Sequence, residues 1–579
     1  MFSRLIICYS SLMKRLRHIF IASLFLFNIS LIQAQTFNAV DIDESVYRLL
    51  DIAEMKGILT NLSQVRPYSR VEIKNYLKKI NQNRNTLSKL EKTVLDSALH
   101  KYRILERDNT VLNILKEGKV HFNNDEDALF PINAGLYFDS ETRADFNFPS
   151  IHSTNFFTFF IEGDISDFAS YNVDFSLGVN NVDVDAFSPF AYTDIATDSY
   201  YIALSHGLNG SGLFDGDKDG TSFSMMSRPE ISTSFWDNKL QLGFSRYRRD
   251  LGNGYGNLTL SSTARPYSGI DLKFRPLDWF NMYYSVGSLN NWFKGDDRVS
   301  GDHLDQKMLT TQLFEFMPLK WLYTSLSTSV VWGKRLELAY FNPLLPPVFG
   351  QSLTGDHDNV SADFSIAVKI PIGLKIYGAM YLDEMRSTDG WTTDPVMPFA
   401  TQAGIKFVIP KLPFTITSFQ YTKLEPYVYA HYEQDYYFAD DTDLFDITWT
   451  HNGENLGYHL PPNSDEFLFR IESMPYKNFR FLLQYQYIRH GDGDPALGEM
   501  EGSIDSGSFD PSTGNTKDFL NDGIYEKIHI ATFEASYEFE ELPIFLSLDY
   551  SFNYGTNFEN IVGNTMTRNI LGMKIHIFP

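Results

Sequence analysis

An acidic stretch that begins at Asp215 has the spacing of a calcium-binding loop. Asp215, Asp217 and Asp219 occupy positions one, three and five of that motif, and a glycine occupies position six. Alternate carboxylates can converge on one hard cation, and the glycine permits a sharp turn. Position twelve is Met226 instead of the bidentate glutamate, so a solvated acidic loop is the competing interpretation. We therefore expect no cofactor, apart from one structural calcium ion if this loop binds it.

Aromatic residues in long polar segments form a second candidate site, this one for a glycan. Aromatic faces stack on the C–H faces of sugars, and neighbouring Asp and Asn side chains can bond hydroxyl groups. The alternative is that these rings pack the loops against one another or lie at a membrane interface. The predicted glycan-binding residues are Trp292, Trp391, Tyr427, Tyr429 and Trp449.

Local enzyme motifs are absent from the sequence. It contains no G-x-S-x-G elbow, no H-E-x-x-H and no glycine-rich phosphate cradle. His490 with Asp492 and Asp494 is the nearest candidate cluster, and a loop that begins just past a strand explains it equally well. The oxygen-rich segment Gly355 to Asn359 is interpreted as loop-shaping, because Asp and Asn side chains bond nearby backbone. We expect a protein without enzymatic activity.

Residues 1–34 have the features of an export signal. Arg4 and three further basic residues precede an apolar run that ends at Ile32, and the small residue Ala34 follows. Cleavage near Ala34 is expected. The chain's one cysteine, Cys8, lies inside this signal, which leaves no thiol for a disulfide, a zinc site or nucleophilic catalysis.

The charge balance excludes nucleic acid as an expected partner. Removing the four positive charges of the signal changes the formal net charge from −23 to −27. Phosphate binding requires clustered Lys and Arg. Aromatic residues make up 15% of the chain, although its mean hydropathy is −0.23. A membrane barrel explains this combination, because its outward residues meet lipid while its inward residues are polar.

From about Asp41 to Lys116 the pattern is helical. Apolar residues from Val46 to Ala53 recur with a period of 3.6 residues, and Gly57 marks the end of that helix. Ser69 and Glu72 have the spacing of a capping box. A third amphipathic stretch follows, so three helices can bury a small core among themselves or against the mouth of a barrel.

After about Lys119 the period of the pattern changes to two. From Tyr171 to Asn180, apolar and polar residues alternate without error, so one face suits lipid and the other suits water. The segments around Ile270 and Phe533 alternate in the same way, with charges on the polar face. The segment from Leu571 to Ile577 is predicted to be the closing strand.

The connections between these strands alternate between short turns and long polar loops. Short periplasmic turns opposite long surface loops are typical of outer-membrane barrels, whereas a soluble sandwich has no reason to sort loop length by side. We count about eighteen antiparallel strands, and Tyr200 to Ser205 is left out because one more strand would break the even number. The predicted organisation is a signal peptide at 1–34, a small α-helical periplasmic domain at 35–118 and an all-β transmembrane barrel at 119–579.

Several segments resemble the capsule-assembly Wzi family of outer-membrane proteins. Near the start, the similar segment is YRLLDIAEMKGILTNLSQVRPYSR. The barrel region contributes a glycine-rich segment, a strand leading into an FNP loop, a DxDN strand pair and a late aromatic strand. These are GYGNLTLSSTARPYSGIDLKFRPLDW, TSVVWGKRLELAYFNPLLPPVF, GDHDNVSADFSIAVKIPIGLKIYGAMYLDEM and FTITSFQYTKLEPYVYAHY. The resemblance implies a barrel plugged by loops, a periplasmic helical bundle and a surface lectin that helps to attach capsular polysaccharide.

The expected partners are outer-membrane lipid and a capsular or other surface polysaccharide, and the expected state is a monomer. An acidic surface repels an acidic capsule unless divalent cations or a local basic patch intervene. One alternative function is an outer-membrane porin or solute channel, although Phe341 to Phe349 is predicted to fold inward as a plug. A second is a structural barrel that contacts peptidoglycan, because Met55 to Leu59 and Pro67 to Arg70 faintly resemble an S-layer-homology unit.

Overall fold

The structure, a computed structural model, describes a barrel and the helices that precede it. The described residues are 37–103, 113–116, 119–121, 133–147, 150–165, 168–181, 221–289, 307–333, 335–355, 358–383, 398–410, 412, 414–430, 432–434, 444–451, 454–491, 519–520, 524–539, 542 and 544–577.

Eighteen antiparallel strands of the described chain form a closed barrel. Each strand pairs with its neighbours in chain order, and the last strand pairs with the first. The predicted even count is therefore confirmed, and Tyr200 to Ser205 lies outside the described residues. The strands are β1 Asn133–Asp145, β2 Ser150–Ile165, β3 Ala169–Asn181, β4 Thr221–Phe235, β5 Leu240–Tyr247, β6 Tyr267–Leu277, β7 Phe280–Leu289, β8 Lys307–Leu319, β9 Leu322–Gly333, β10 Asn359–Ile370, β11 Leu374–Asp383, β12 Phe399–Val408, β13 Thr415–Leu424, β14 Ser464–Tyr476, β15 Phe479–Gly491, β16 Tyr525–Glu538, β17 Ile544–Thr556 and β18 Thr565–Ile577.

The outer wall of the barrel is apolar and the inner wall is polar. In β3, Val173 and Leu177 are 41% and 50% exposed on the outside, while Asp174 and Ser176 between them are buried. Large apolar side chains exposed over a whole closed wall require a lipid environment, because water would make them costly. The period-two pattern thus predicted the correct face for this strand.

The two ends of the barrel differ in the length of their connections. Turns of a few residues join β4 to β5, β6 to β7, β8 to β9 and β10 to β11 at one end. Trp236, Trp279 and Trp321 are exposed beside three of these turns, as in an interfacial aromatic girdle. The opposite end has the long loops, although the connections at 146–149 and 557–564 are short there too.

In the described residues before the barrel there are three α-helices: α1 Ser45–Met55, α2 Arg70–Gln82 and α3 Lys89–Arg103. Ser69 and Glu72 form the predicted capping box, in which the Ser69 amide donates to Glu72 Oε2 at 2.8 Å and Ser69 Oγ accepts from the Glu72 amide at 3.4 Å. Among the described residues, no helix combines the length and the apolar character needed to cross a membrane.

The prediction of a helical pattern from Asp41 to Lys116 was wrong for its last residues. Asn113–Lys116 is a strand that pairs with Lys119–His121, not the last part of a helix. A short apolar run such as Ile114 and Leu115 does not distinguish helix from strand by its period.

The helices occupy the short-turn end of the barrel. Their apolar core includes Val408, Phe414 and Met474, which lie beside short turns of the barrel. Polar contacts tie the same helices to the inner wall: Glu54 of α1 accepts from Lys375 Nζ at 2.7 Å and from Lys369 Nζ at 3.4 Å. The helical segment therefore covers the opening at this end.

Candidate functional site

Three of the five predicted aromatic residues are buried at the long-loop end of the barrel, and Tyr429 and Trp449 belong to its apolar core. Tyr427 is 4% exposed, and Tyr429 and Trp449 are fully buried. Trp292 and Trp391 lie outside the described residues. The structure therefore brings Tyr427, Tyr429 and Trp449 into one region, where their side chains pack against protein. Glycan contact by any of the five stays a prediction.

Tyr429 and Trp449 both bind the glycine-rich loop that joins β5 to β6. The Tyr429 hydroxyl donates to the carbonyl of Leu258 at 2.6 Å, and Trp449 Nε1 donates to the carbonyl of Thr259 at 2.8 Å. Their rings contact Tyr381 of β11, with centroids 5.1 and 6.0 Å away. Buried aromatic rings with satisfied polar tips are strong packing units. They attach the loop to the inner wall.

Tyr429 has a backbone conformation that bulky residues rarely adopt. Its φ is 73°, in the left-handed region. The Asp383 carboxylate accepts a hydrogen bond from its amide at 2.5 Å, and burial raises the pKa of the Tyr429 hydroxyl. The surrounding contacts therefore hold this residue in its strained conformation.

The glycine-rich loop passes so close to its neighbours that side chains would not fit. A Cβ at Gly254 would lie 2.1 Å from Gln402 Oε1, and one at Gly457 in the facing loop would lie 2.1 Å from the carbonyl of Leu258. Gln402 Nε2 donates to the carbonyl of Gly256 at 2.7 Å. The segment that resembles the Wzi family includes Gly254 and Gly256 but not Gly457, and the sequence does not reveal which loop these glycines meet.

This loop extends through the lumen toward the helices. Tyr255 donates from its hydroxyl to Glu472 Oε2 at 2.7 Å, and Arg48 of α1 binds the other oxygen of the same carboxylate at 3.1 Å. Val65 and Leu251 pair as antiparallel neighbours, which joins the helical segment to the loop by a short β-ladder. The helical segment and the glycine-rich loop therefore meet inside the described lumen.

Basic side chains gather beside the loop core. Lys307 is fully buried and donates to Thr450 Oγ1 at 3.0 Å. Burial and the positive charges of Arg246, Arg265 and Lys307 lower the pKa of His451 to about 3. His451 is therefore neutral at physiological pH.

The other candidate residues fall into two groups. Asp215, Asp217 and Asp219 lie outside the described residues, and within the described part of the chain no cluster of three or more metal-ligating side chains is present. His490 Nδ1 lies 3.1 Å from Glu526 Oε1, and its predicted neighbours Asp492 and Asp494 are not described.

The motif that resembles an S-layer-homology unit is part of the contact between helices and barrel. Tyr68 is fully buried, and Arg70 Nη2 pairs with Glu162 Oε2 of β2 at 2.8 Å. These two side chains therefore serve to seat the helical segment. Peptidoglycan contact stays a prediction.

The predicted inward plug at Phe341 to Phe349 was wrong. Tyr340 packs on Trp332 with ring centroids 5.4 Å apart, and Gln312 Nε2 donates to the carbonyl of Pro343 at 2.7 Å. Gln312 and Trp332 lie on the outer face of the barrel, because Leu309, Leu313 and Val331, at alternating positions of the same strands, pack in the core inside it. This segment therefore folds over the outside of the wall.

A closed eighteen-stranded antiparallel barrel with an apolar outer wall defines an outer-membrane protein. The fold is that of Wzi from Escherichia coli, described as a carbohydrate-binding β-barrel of the outer membrane involved in group 1 capsule assembly. That match has 12% identity and a TM-score of 0.54, and covers 94% of this chain and all of the other. The family resemblance seen in the sequence is thus confirmed at the level of the fold.

Two outer-membrane proteins of Pseudomonas aeruginosa are similar to a smaller part of this chain than Wzi is. OprD matches with 9% identity and a TM-score of 0.40, covering 80% of this chain and 98% of its own. OpdK, solved with vanillate, matches with 9% identity and a TM-score of 0.42, covering 77% and 98%. No family model matches the sequence. No curated protein matches it either.

Proposed function

We propose that this protein is a glycan-binding protein of the outer membrane, without enzymatic activity, that helps to hold capsular or another surface polysaccharide at the cell. The observation that carries the proposal is the contact, inside the described lumen, between the helical segment from one end and the glycine-rich loop from the other. A pore for solute diffusion requires an open path, whereas a binding surface requires loops held in place. The two-sided plug favours the second.

The loop core supplies the rigidity that such a surface needs. Tyr429 and Trp449 attach two long connections to one another and to the inner wall. A preorganised surface loses less conformational entropy when a flexible polymer binds. We propose that Trp292 and Trp391 stack on the sugar, while Tyr427, Tyr429 and Trp449 shape the surface from below.

The basic side chains beside this core could offset the repulsion between an acidic protein and an acidic polysaccharide. Arg246, Arg265 and Lys307 all act on His451, so three basic side chains gather at the long-loop end. A local positive region attracts uronate or other acidic sugars even when the whole protein is acidic. We propose an acidic polysaccharide as the ligand.

The test is binding of a short oligosaccharide from the cell's own surface polysaccharide to the purified full-length protein. Trp292→Ala and Trp391→Ala should each weaken binding by roughly thirtyfold, which corresponds to about 2 kcal/mol. Trp279→Ala is the matched control, because Trp279 is an exposed tryptophan at the short-turn end. Failure of the unmodified protein to bind any such oligosaccharide would overturn the proposed function. Equal binding by all three variants would show that Trp292 and Trp391 do not contact the sugar.

A further inference from the structure

The segment that lies on the outside of the barrel wall has an unusual composition. Residues 338–355 contain no Asp, Glu, Lys or Arg, although 21% of the chain is charged. They form a 3₁₀ turn, Leu338–Phe341, and a helix α4, Pro347–Thr354. We call residues 338–355 the lateral segment.

The inner side of the lateral segment is built into the wall. Tyr340 is 1% exposed and packs with Val330, Trp332 and Val360, which are also buried. A Cβ on Gly350 of α4 would lie 2.9 Å from the Tyr340 ring, so the helix sits directly on it. The segment is thus a packed element of the fold.

Polar groups on the outer wall are matched to this segment. Tyr284 and Thr310 both donate to the carbonyl of Tyr340, the latter at 3.2 Å, and Gln312 Nε2 donates to the carbonyl of Pro343. Outward hydroxyl and amide groups are costly in lipid unless they are bonded. Three prolines at positions 343, 346 and 347 also remove backbone donors that lipid could not satisfy.

The outer side of the segment is strongly apolar. Leu344, Phe349 and Leu353 are 86%, 62% and 73% exposed, and the last two lie four residues apart on one face of α4. Below them, Leu326 and Phe364 of the neighbouring strands are 47% and 49% exposed on the lipid-facing wall. The exposed face of the segment is therefore continuous with the surface that already meets lipid.

The depth of the contact places it within the bilayer. Gln312 lies seven residues from Leu319, the last residue of β8 before the short turn. At a rise of about 3.3 Å per residue and a tilt of about 40°, this corresponds to about 18 Å along the membrane normal. The apolar band of such barrels is about 25 Å tall. The carbonyl of Pro343 is thus bonded inside the upper part of the band.

We propose that the lateral segment is seated in the outer leaflet and that Leu344, Phe349 and Leu353 contact the acyl chains of its lipids. The occupant is lipid because the segment is uncharged, leaves its apolar side chains exposed and extends the lipid-facing wall. The segment would make the barrel wider on the β8–β10 side in one leaflet only.

The test uses nitroxide spin labels on the full-length protein in liposomes. Leu344→Cys, Phe349→Cys and Leu353→Cys are labelled singly and compared with Leu326→Cys on the wall and with Val562→Cys, an exposed position in the connection between β17 and β18. A preparation without an added cysteine controls for Cys8.

We expect the three segment labels to behave as Leu326→Cys does, with strong relaxation by oxygen and weak relaxation by a water-soluble nickel chelate. Strong relaxation by the nickel chelate, as expected at Val562, would overturn the proposal. Spin–spin coupling between copies, or shielding from both reagents, would also overturn it in favour of a protein partner. Heat-dependent mobility in gels checks that each variant is folded, and Leu353→Asp should lower the melting temperature in liposomes more than Val562→Asp.

Discussion

Val65 and Leu251 are antiparallel partners inside the barrel, although Val65 precedes the first barrel strand and Leu251 follows the fifth. Both side chains are almost fully buried in the same apolar core. Because the helical segment comes from the short-turn end and the glycine-rich loop from the other, this pair is where the two halves of the plug meet.

The plug predicts a low permeability. Purified protein in planar bilayers should show no large, steady conductance. The double variant Tyr255→Ala with Glu472→Ala should increase both the frequency of openings and the uptake of small sugars by liposomes several-fold, because it removes the carboxylate bound by both halves. Glu534→Ala is the matched control, since Glu534 bonds Ser547 of the neighbouring strand. A large conductance in the unmodified protein would support a porin instead.

The buried pair of Arg249 and Asp271 predicts a large loss of stability when it is broken. Arg249 donates to the two carboxylate oxygens at 2.9 and 2.7 Å, and both side chains are almost fully buried. Arg249→Met should cost about 3–5 kcal/mol, because it leaves a buried carboxylate without its cation.

The comparison for this pair is Arg84→Met, which removes an exposed partner of Asp96. Solvent screens an exposed ion pair and leaves it little effect on stability, so this variant should unfold close to the unmodified protein in urea. Equal midpoints for the Arg249 and Arg84 variants would show that the buried pair contributes little.

The capping box predicts that loss of the Ser69 side chain destabilises α2 and leaves the barrel intact. Ser69→Ala removes the side chain that accepts from the Glu72 amide and should destabilise α2 by about 1 kcal/mol. Protease cleavage within residues 37–103 should become faster while the gel mobility of the folded barrel stays the same. Ser352→Ala, at an exposed position of α4, is the control and should leave cleavage in that region unchanged. Unchanged cleavage in the Ser69 variant would contradict a role for the cap.

The features that the sequence predicted correctly depend on neighbours along the chain. The Ser69–Glu72 cap spans four residues, and the alternation in β3 follows from the two faces of one strand. The same local signals cannot show where a long loop goes. Phe341 to Phe349 is apolar enough to fill a lumen or to lie on the outer wall. The choice depends on contacts with Trp332, on the strand just before the segment, and with Gln312, which lies 31 residues before Pro343.

The candidate site shows the same limit. A tryptophan in a polar segment, such as Trp449, has the same sequence signature whether it stacks on a sugar or supports a loop. Its burial follows from the carbonyl of Thr259 and the ring of Tyr381, which are remote in sequence. Sequence reasoning did not identify the basic group around His451, because Arg246, Arg265 and Lys307 are far from one another and from His451 in the sequence.

The final prediction separates support from contact at Trp449. Trp449→Ala removes a fully buried ring and should destabilise the folded state by about 3–5 kcal/mol. Trp449→Phe keeps most of the ring and loses the hydrogen bond to Thr259, so its cost should be smaller. If Trp449 supports the loops, the variant that is less stable should also bind the oligosaccharide less tightly, when affinity is measured well below the melting temperature. Trp449→Phe should therefore keep most of the affinity that Trp449→Ala loses. The opposite outcome is an equal loss of affinity in both variants, with Trp449→Phe melting as the unmodified protein does. Trp449 would then contact the glycan itself, in a conformation in which its side chain is not buried.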